Sequence, residues 1–160
     1  MMPEPGNALP EISLEAAAGG QVTPARHHAE HPGRRLVLFF YPRDNTPGCT
    51  AEAQDFSALQ ERFAAADTDL LGISKDSPRK HRNFIAKHGL TVPLATDAEE
   101  DGLSDALGLW SEKQMYGKAY MGMVRTTILL DEAGRILRVW PKVRVKGHAQ
   151  EVLDAVEALR

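Results

Sequence analysis

One short segment of this 160-residue chain has the residue types for thiol chemistry, because it holds the only cysteine, Cys49. The segment reads Pro42-Arg43-Asp44-Asn45-Thr46-Pro47-Gly48-Cys49. An apolar run at 36–41 precedes it and predicts a strand that is buried on both faces. The helical spacing of apolar residues after Cys49 predicts a helix over 47–64. The thiol is therefore expected where a strand passes into a helix, in the first turn of that helix.

The chemistry of this position follows from the start of the helix. Thr46 or Asp44 is expected to cap the helix, with Pro47 in its first position. Unpaired N–H groups and the partial positive charge of a helix N-terminus both favour a thiolate over a thiol. A reactive thiolate is one interpretation of Cys49. An inert, buried structural cysteine is the other, and position alone does not separate them.

Length and composition limit the classes to which the chain can belong. We predict one domain over 1–160, with 1–7 extended or mobile, because the apolar content suffices for a self-contained core. The net charge of -3 gives no indication of a nucleic-acid partner. Without a signal peptide or an apolar segment that could span a bilayer, we expect a soluble, cytoplasmic monomer with no membrane partner. A single cysteine also excludes a disulfide reductase of the kind that needs two.

The remaining chain is predicted to place strands and helices around this segment. A small N-terminal hairpin is predicted first. The strands at 36–41 and 69–74 then flank the helix and form a parallel βαβ unit, and two later strands joined by the turn 131–134 are predicted to pair antiparallel. A βαβ half is thus followed by a ββα half. The other predicted elements are an edge-like strand at 91–95, strands at 124–130 and 135–140, and helices from Ser77-Pro78 to Gly89, from Asp97 to Leu107 and from His148, with Val152, Leu153, Val156 and Leu159 on one apolar face.

Two further stretches invite a functional interpretation. Residues 110–123 are predicted to be the one long irregular stretch, and Trp110, Tyr116 and Tyr120 are candidates for the wall of a substrate pocket. The alternative is that these side chains cover ordinary core. Three histidines within 27–31 suggest a metal, but the segment is polar and lies next to Pro32-Gly33, so we predict no metal site.

The thiol segment matches Pro-x-x-x-Thr-x-x-Cys and so resembles the active-site motif of peroxiredoxins. Over roughly residues 8–158 the chain is similar to the bacterioferritin-comigratory-protein, or PrxQ-like, branch of that family. This similarity implies an α/β thioredoxin-like fold, in which helices flank a central mixed sheet with an N-terminal hairpin. The motifs that carry it are Phe39-Phe40-Tyr41-Pro42, Thr46-Pro47-Gly48-Cys49-Thr50, Leu71-Gly72-Ile73-Ser74-Lys75-Asp76, Trp110-Ser111-Glu112-Lys113, Gly117-Lys118-Ala119-Tyr120-Met121-Gly122 and Arg125-Thr126-Thr127-Ile128-Leu129-Leu130-Asp131.

The resemblance implies catalytic roles at four positions and no cofactor. Cys49 corresponds to the peroxidatic cysteine, Thr46 to the hydroxyl that holds the thiolate and a substrate oxygen, Pro42 to the residue that shields the thiolate, and Arg125 to the guanidinium of the site. Such a reaction needs an aimed thiolate and donors that stabilise charge on the departing oxygen. Glu52 lies three residues after Cys49 on one helical face and is expected to orient Arg125. Its alternative role is only to place a favourable charge in the first helical turn.

The chain departs from the PrxQ-like pattern in the residues that would regenerate the peroxidatic cysteine. Many members have a resolving cysteine five residues after the peroxidatic one, where this chain has Gln54, and others have it in the next helix, near Phe84-Ile85. The resemblance therefore implies a peroxidase for hydrogen peroxide and organic hydroperoxides whose sulfenic acid on Cys49 is reduced by an external thiol. Thioredoxin, glutaredoxin or a low-molecular-weight thiol are the candidate reductants. The alternative is a thioredoxin-like binding, chaperone or peroxide-sensing module without efficient turnover.

Overall fold

A mixed β-sheet lies at the centre of residues 2–159, the part of the chain that this computed structural model describes. In chain order the elements are β1 Leu14–Ala16, β2 Gln21–Val22, α1 His27–Glu30, β3 Arg35–Phe40, α2 Pro47–Ala65, β4 Thr68–Ser74, α3 Pro78–His88, β5 Leu94–Thr96, α4 Leu103–Ala106, β6 Trp110–Met115, β7 Lys118–Met123, β8 Thr126–Leu130, β9 Ile136–Trp140 and α5 His148–Glu157. The order of strands across the sheet is β2-β1-β5-β4-β3-β8-β9, and β6 and β7 form a separate pair.

The predicted βαβ unit forms the middle of the sheet. Strands β3 and β4 are parallel and joined by α2, while β8 is antiparallel to β3 on its other side. Gly72 in β4 permits this packing, because a Cβ there would lie 2.6 Å from the ring of Phe39 and 2.7 Å from Leu94. The predicted antiparallel pairing of β8 with β9 is also confirmed. The carboxyl end of β3 consequently delivers the chain into the thiol segment at the centre of the sheet.

Two apolar clusters hold the layers together, one on each face of the sheet. The first joins α2, α3 and α5 to the sheet and includes Phe56, Phe84 and Val152. The second lies on the opposite face and includes Leu14 and, from α4, Leu103. Val152, Leu153 and Val156 are buried as predicted, whereas Leu159, placed on the same face by the helical pattern, is exposed. Helix α2 is therefore held by contacts with both the sheet and α5.

Two predictions between β4 and β6 were wrong. The strand predicted at 91–95 begins only at Leu94, and it is not an edge strand because β1 pairs with its free side. The helix predicted to start after Asp97 is restricted to α4. The carboxylate of Asp97 nevertheless caps it from six residues ahead, accepting the backbone N–H groups of Leu103 at 2.8 Å and Ser104 at 2.9 Å.

The prediction of an irregular stretch at 110–123 was also wrong, because these residues form the β6–β7 hairpin. Tyr116 and Gly117 make its two-residue turn with φ values of 53° and 76°, the backbone region that such a turn requires. Apolar and polar residues do not alternate along either strand, because most of the hairpin is exposed on both faces. The usual strand signal is therefore missing from the sequence.

The N-terminal segment is more ordered than the sequence predicted. The extended lead-in is tied to the rest of the sheet, since Gly6 donates to Ile136 at 2.7 Å and Ile136 donates to Asn7 at 2.8 Å. Met1, part of the predicted extended or mobile start, lies outside the described residues.

The strand predicted at 124–130 included Arg125, but β8 begins one residue later, so Arg125 directly precedes it. Within residues 2–159, none of the helices combines the length and apolar character needed to cross a bilayer.

Candidate active site

Cys49 lies in the first turn of α2, as predicted, and its side chain is buried with 1% exposure. Thr46 is the N-cap residue, with φ -86° and ψ 152°, and Pro47 follows it in the helix. The predicted side-chain cap is absent, however. The hydroxyl of Thr46 instead donates to the backbone carbonyl of Arg43 at 2.9 Å. The first N–H groups of α2 therefore have no side-chain acceptor at Thr46, and they supply positive potential at the start of the helix that carries the thiol.

Arg125 contacts both Cys49 and Glu52, which lie one helical turn apart. Its Nη2 donates to the Sγ atom of Cys49 at 3.4 Å, and its Nη1 donates to Oε1 of Glu52 at 2.7 Å. Gly48 leaves room for the guanidinium, because a Cβ at this position would lie 3.3 Å from Nη2. The backbone carbonyl of Arg125 is held in turn by the N–H of Val143 at 2.8 Å. The site thus brings together a thiol, a fixed cation and a carboxyl group that orients the cation.

The electrostatics of Glu52 and Arg125 are coupled through this contact. Burial raises the pKa of Glu52 to about 7, and the neighbouring guanidinium opposes that rise. Burial acts to lower the pKa of Arg125, but Glu52 and Cys49 outweigh it, so the pKa lies above its ordinary value. The Oε2 atom of Glu52 is buried without a hydrogen-bond partner among residues 2–159. Arg125 consequently stays charged, while Glu52 titrates near neutral pH.

Lys113 brings a second cation towards the site, and the sequence analysis did not identify it. This half-buried residue lies on β6, and its Nζ donates to the backbone carbonyl of Met123 at the end of β7. Burial and the charge of Arg125 lower the pKa of Lys113, whereas Cys49 acts in the opposite direction. The ammonium group therefore lies within the electrostatic field of both site residues. The sequence did not indicate this position for Lys113, because the residues around it were predicted to be irregular rather than a strand.

A buried polar cluster, which we call the Asp44 cluster, holds the loop in front of α2. It consists of Tyr41, Asp44, Asp76 and His81. The hydroxyl of Tyr41 donates to Oδ1 of Asp44 at 2.6 Å, and Nδ1 of His81 lies 2.7 Å from Oδ2 of the same carboxyl group. The backbone N–H of Asp44 donates to Asp76 at 2.8 Å. Asp44 therefore does not cap α2, the alternative that the sequence left open, but turns into the protein.

The predicted pocket residues do not lie together. Pro42 and Trp110 both line a polar cleft of about 660 Å³, and Arg43 and Lys75 are also part of its lining. Tyr116 lies at the hairpin tip with 97% of its surface exposed, and Tyr120 is 44% exposed on β7. Neither tyrosine lines this cleft, so the structure brings only Trp110 to the side of the thiol segment.

The histidines near the N-terminus have structural contacts. Nε2 of His27 lies 2.8 Å from Oδ2 of Asp69, and the rings of His27 and His31 stack at 4.5 Å between centroids. Asp69 also accepts from Arg34 at 3.0 Å. In the part of the chain that is described, no group of three or more His, Cys, Asp or Glu side chains is arranged to hold a metal ion.

Known proteins are similar to this chain over most of its length. The family model described as AhpC/TSA family matches residues 5–139. Peroxiredoxin Bcp of Xanthomonas campestris pv. campestris is 46% identical over 141 residues, which are 88% of this chain and 86% of that protein. Peroxiredoxin Bcp of Bacillus subtilis is 40% identical over 154 residues, covering 96% of this chain and 95% of that protein.

Solved structures extend this similarity to three dimensions. A cysteine-to-serine mutant of Xanthomonas campestris Peroxiredoxin Q superposes with a TM-score of 0.87 at 42% identity, covering 98% of this chain and 99% of that one. The bacterioferritin comigratory protein of the same organism gives a TM-score of 0.86 at 42% identity, covering 97% and 98%. Another Peroxiredoxin Q structure replaces a different cysteine by serine, so that protein has at least two cysteines, whereas this chain has one.

Proposed function

This chain belongs to the AhpC/TSA family as a peroxiredoxin, a thiol-dependent peroxidase with the thioredoxin-like fold, and we propose that Cys49 is its peroxidatic residue. Arg125 and Thr46 are proposed to bind the reacting oxygen atoms, Pro42 to shield the thiolate and Glu52 to orient Arg125. The observation that carries this assignment is the contact of 3.4 Å between Nη2 of Arg125 and Sγ of Cys49. A permanent cation held against a buried thiol favours the thiolate form that attacks a peroxide.

In the first half-reaction, the thiolate sulfur of Cys49 attacks the terminal oxygen of a hydroperoxide. The S–O bond forms as the O–O bond breaks, the sulfur is oxidised to a sulfenic acid, and the departing oxygen takes a proton to leave as water or an alcohol. Arg125 stabilises the negative charge on the departing oxygen, because its position is already fixed by Glu52. The hydroxyl of Thr46 has a single hydrogen, now donated to Arg43, so it must rotate before it can donate to substrate.

The second half-reaction requires a thiol from outside the chain, because Cys49 is the only cysteine. A reductant thiol attacks the sulfenic sulfur, the S–O bond breaks and water leaves, giving a mixed disulfide. A second reductant thiol then attacks that disulfide, restores Cys49 and releases the oxidised reductant. We propose a low-molecular-weight thiol, glutaredoxin or thioredoxin for this role.

The proposed substrates are hydrogen peroxide and organic hydroperoxides. The Xanthomonas campestris relative has been trapped in intermediate and ligand complexes that concern alkyl peroxide reduction. In this chain, Trp110 lines the same cleft as Pro42, and Nζ of Lys75 lies 4.9 Å from the centroid of its ring. The proposal that organic hydroperoxides are accepted therefore rests on the similarity to this relative rather than on an apolar pocket wall.

Intact-mass spectrometry tests the proposal. The reduced protein is treated with one equivalent of hydrogen peroxide and should gain one oxygen atom, far faster than a free thiol does. Glutathione, glutaredoxin and thioredoxin are then added separately, and an effective reductant should convert the oxidised form to a mixed disulfide and then to free Cys49. The Cys49→Ser variant is the control and should gain no oxygen in the same time. If Cys49 reacts no faster than a free thiol and no thiol restores it, the binding or sensing function replaces this one.

A further inference from the structure

Helix α3 contacts the thiol segment through two histidines that lie on one face. His81 and His88 are seven residues apart, close to two helical turns. Nδ1 of His81 lies 2.7 Å from Asp44, and Nε2 of His88 lies 3.2 Å from Oδ1 of Asn45. Two neighbouring residues of the loop are thus held by the same helix.

The contacts of His81 are buried and enclosed by protein. His81 is fully buried, and Asp44 is 6% exposed. Nδ1 of His81 also lies 3.3 Å from the hydroxyl of Tyr41. Burial and the adjacent Asp44 raise the pKa of Tyr41 well above its ordinary value, so its hydroxyl keeps the hydrogen that it donates to Asp44. Because the hydroxyl oxygen of Tyr41 accepts from Nδ1, this nitrogen carries a hydrogen, and Oδ2 of Asp44 lies beside it with no hydrogen bond of good geometry among residues 2–159.

The loop contains one residue in an uncommon backbone conformation and is tied together by several hydrogen bonds. Asn45 has a φ of 64°, in the left-handed region that asparagine tolerates better than most residues other than glycine. The next residue is Thr46, whose hydroxyl donates to Arg43 within the same loop. The backbone N–H of Asp44 is fixed by Asp76, which also accepts the hydroxyl of Ser74 at 2.6 Å. A change at Asp44 would therefore move Thr46 and the start of α2 together.

We infer that His81 is a positioning residue for peroxide reduction, acting through Asp44 to hold Thr46 and Cys49 in the geometry of attack. The inference rests on the proposed function of Cys49, and it assigns α3 a part in the oxidation step although this helix contributes no thiol. A shift of about 1 Å in a reacting group can cost about 100-fold in rate. The reaction of Cys49 with peroxide should therefore depend on His81 much more than its reaction with a reagent that needs no aligned donors.

Two rates measured on the same variants test this inference. For His81→Leu, oxidation of Cys49 by hydrogen peroxide should slow by about 10- to 100-fold, whereas alkylation by iodoacetamide should change by less than about threefold. His81→Asn keeps an N–H donor close to the position of Nδ1 and should recover most of the peroxide rate. Lys87→Leu, an exposed substitution on the same helix, should leave both rates unchanged.

A matched variant distinguishes the effect of lowered stability from the effect of displaced site residues. Val156→Ala removes core volume in α5, and it provides a folded protein of lowered stability with the Asp44 cluster intact. Its peroxide rate should equal that of the wild type at a temperature where both are folded. The inference is overturned if His81→Leu oxidises as fast as the wild type, if both of its rates fall alike, or if His81→Asn is as slow as His81→Leu. If the wild type itself reacts no faster than a free thiol, the proposed function has failed instead.

Discussion

Arg125 has a geometry that a simple positive charge cannot reproduce. One nitrogen of its guanidinium contacts the sulfur of Cys49 and the other contacts Glu52. A lysine could supply the charge, but its single ammonium group lacks the planar fork that bridges two acceptors at fixed positions. At the scale of the residue, the proposed mechanism therefore depends on orientation as well as on charge.

The first prediction follows from this difference. Arg125→Lys should slow the oxidation of Cys49 by hydrogen peroxide by about 10- to 100-fold, because the charge is kept while the fixed donor to the departing oxygen is lost. Arg125→Met should be slower still, since it removes the charge as well. Quenched-flow mass spectrometry at neutral pH measures both rates. Equal rates for Arg125→Lys and the wild type would show that charge alone is sufficient.

Glu52 leads to the second prediction, which concerns stability and pH. Its pKa of about 7 in the folded protein exceeds the ordinary value of 4.5, so the folded state holds the proton more tightly than the unfolded chain. The free energy of unfolding should therefore fall as pH rises through this window, by about 3 kcal/mol in total. Glu52→Gln cannot lose a proton and should lack this contribution.

The measurement for Glu52 is a difference between two proteins. The free energy of unfolding is measured by urea denaturation for the wild type and for Glu52→Gln at intervals between about pH 4 and pH 8. The difference between the two values at each pH cancels the titration of groups that both proteins share. The wild type should lose stability relative to the variant as pH increases. A difference that stays constant with pH would show that burial does not hold the Glu52 proton.

The residues of the site were predictable to different degrees. The pairing of Cys49 with Glu52 follows from helical spacing and needs no further information. Arg125 lies 76 residues from Cys49, and only the family resemblance could place it at the thiol. The inward turn of Asp44 could not be predicted, because its partner His81 comes from another element and a cap is the commoner role of such an aspartate.

At the scale of the element, the β6–β7 hairpin is the part of the fold that the sequence concealed. The buried strands β3 and β4 have long apolar runs, and α3 has a serine cap and a glycine end, so both kinds of element were predicted correctly. The hairpin has neither signal, since Met115, Tyr116 and Met121 are exposed. Pairing between its two strands, rather than burial of one face, forms this element.

The hairpin leads to the third prediction, which concerns Lys113. Lys113→Met should slow oxidation of Cys49 by roughly three- to fivefold, because a partly buried charge near the site contributes on the order of 1 kcal/mol. Lys118→Met is the matched control, since Lys118 is an exposed lysine of the same hairpin and pairs with Met115 at its tip. Stopped-flow measurement of the peroxide reaction compares the two variants. Equal rates for both would exclude a contribution of Lys113.

At the scale of the whole molecule, the order of strands in the sheet places the site at the carboxyl end of β3, a buried central strand. The thioredoxin-like fold predicted from the order of elements and the family resemblance is confirmed by the solved structures. The single domain over 1–160, the monomeric state and the cytoplasmic location stay predictions. The fold of the whole molecule limits access to the thiol, because the thiol is buried at the start of a helix that packs against the sheet and α5.

The last prediction concerns that restricted access. Two Cys49 thiols from separate chains should not join in a disulfide, because each side chain is 1% exposed and a disulfide requires the two Cβ atoms to approach within about 4.5 Å. After oxidation with one equivalent of hydrogen peroxide and quenching with an alkylating agent, the wild type should run as a single chain on a non-reducing gel. Tyr116→Cys in a Cys49→Ser background is the control. It carries its one thiol at the hairpin tip, where the native residue is 97% exposed, and should form a linked dimer when oxidised with diamide, which takes up the two thiol hydrogens as the disulfide forms. A dimer band from the wild type as strong as that of the control would mean that α2 opens far enough for two chains to meet, and that recycling can proceed through a second copy of the protein.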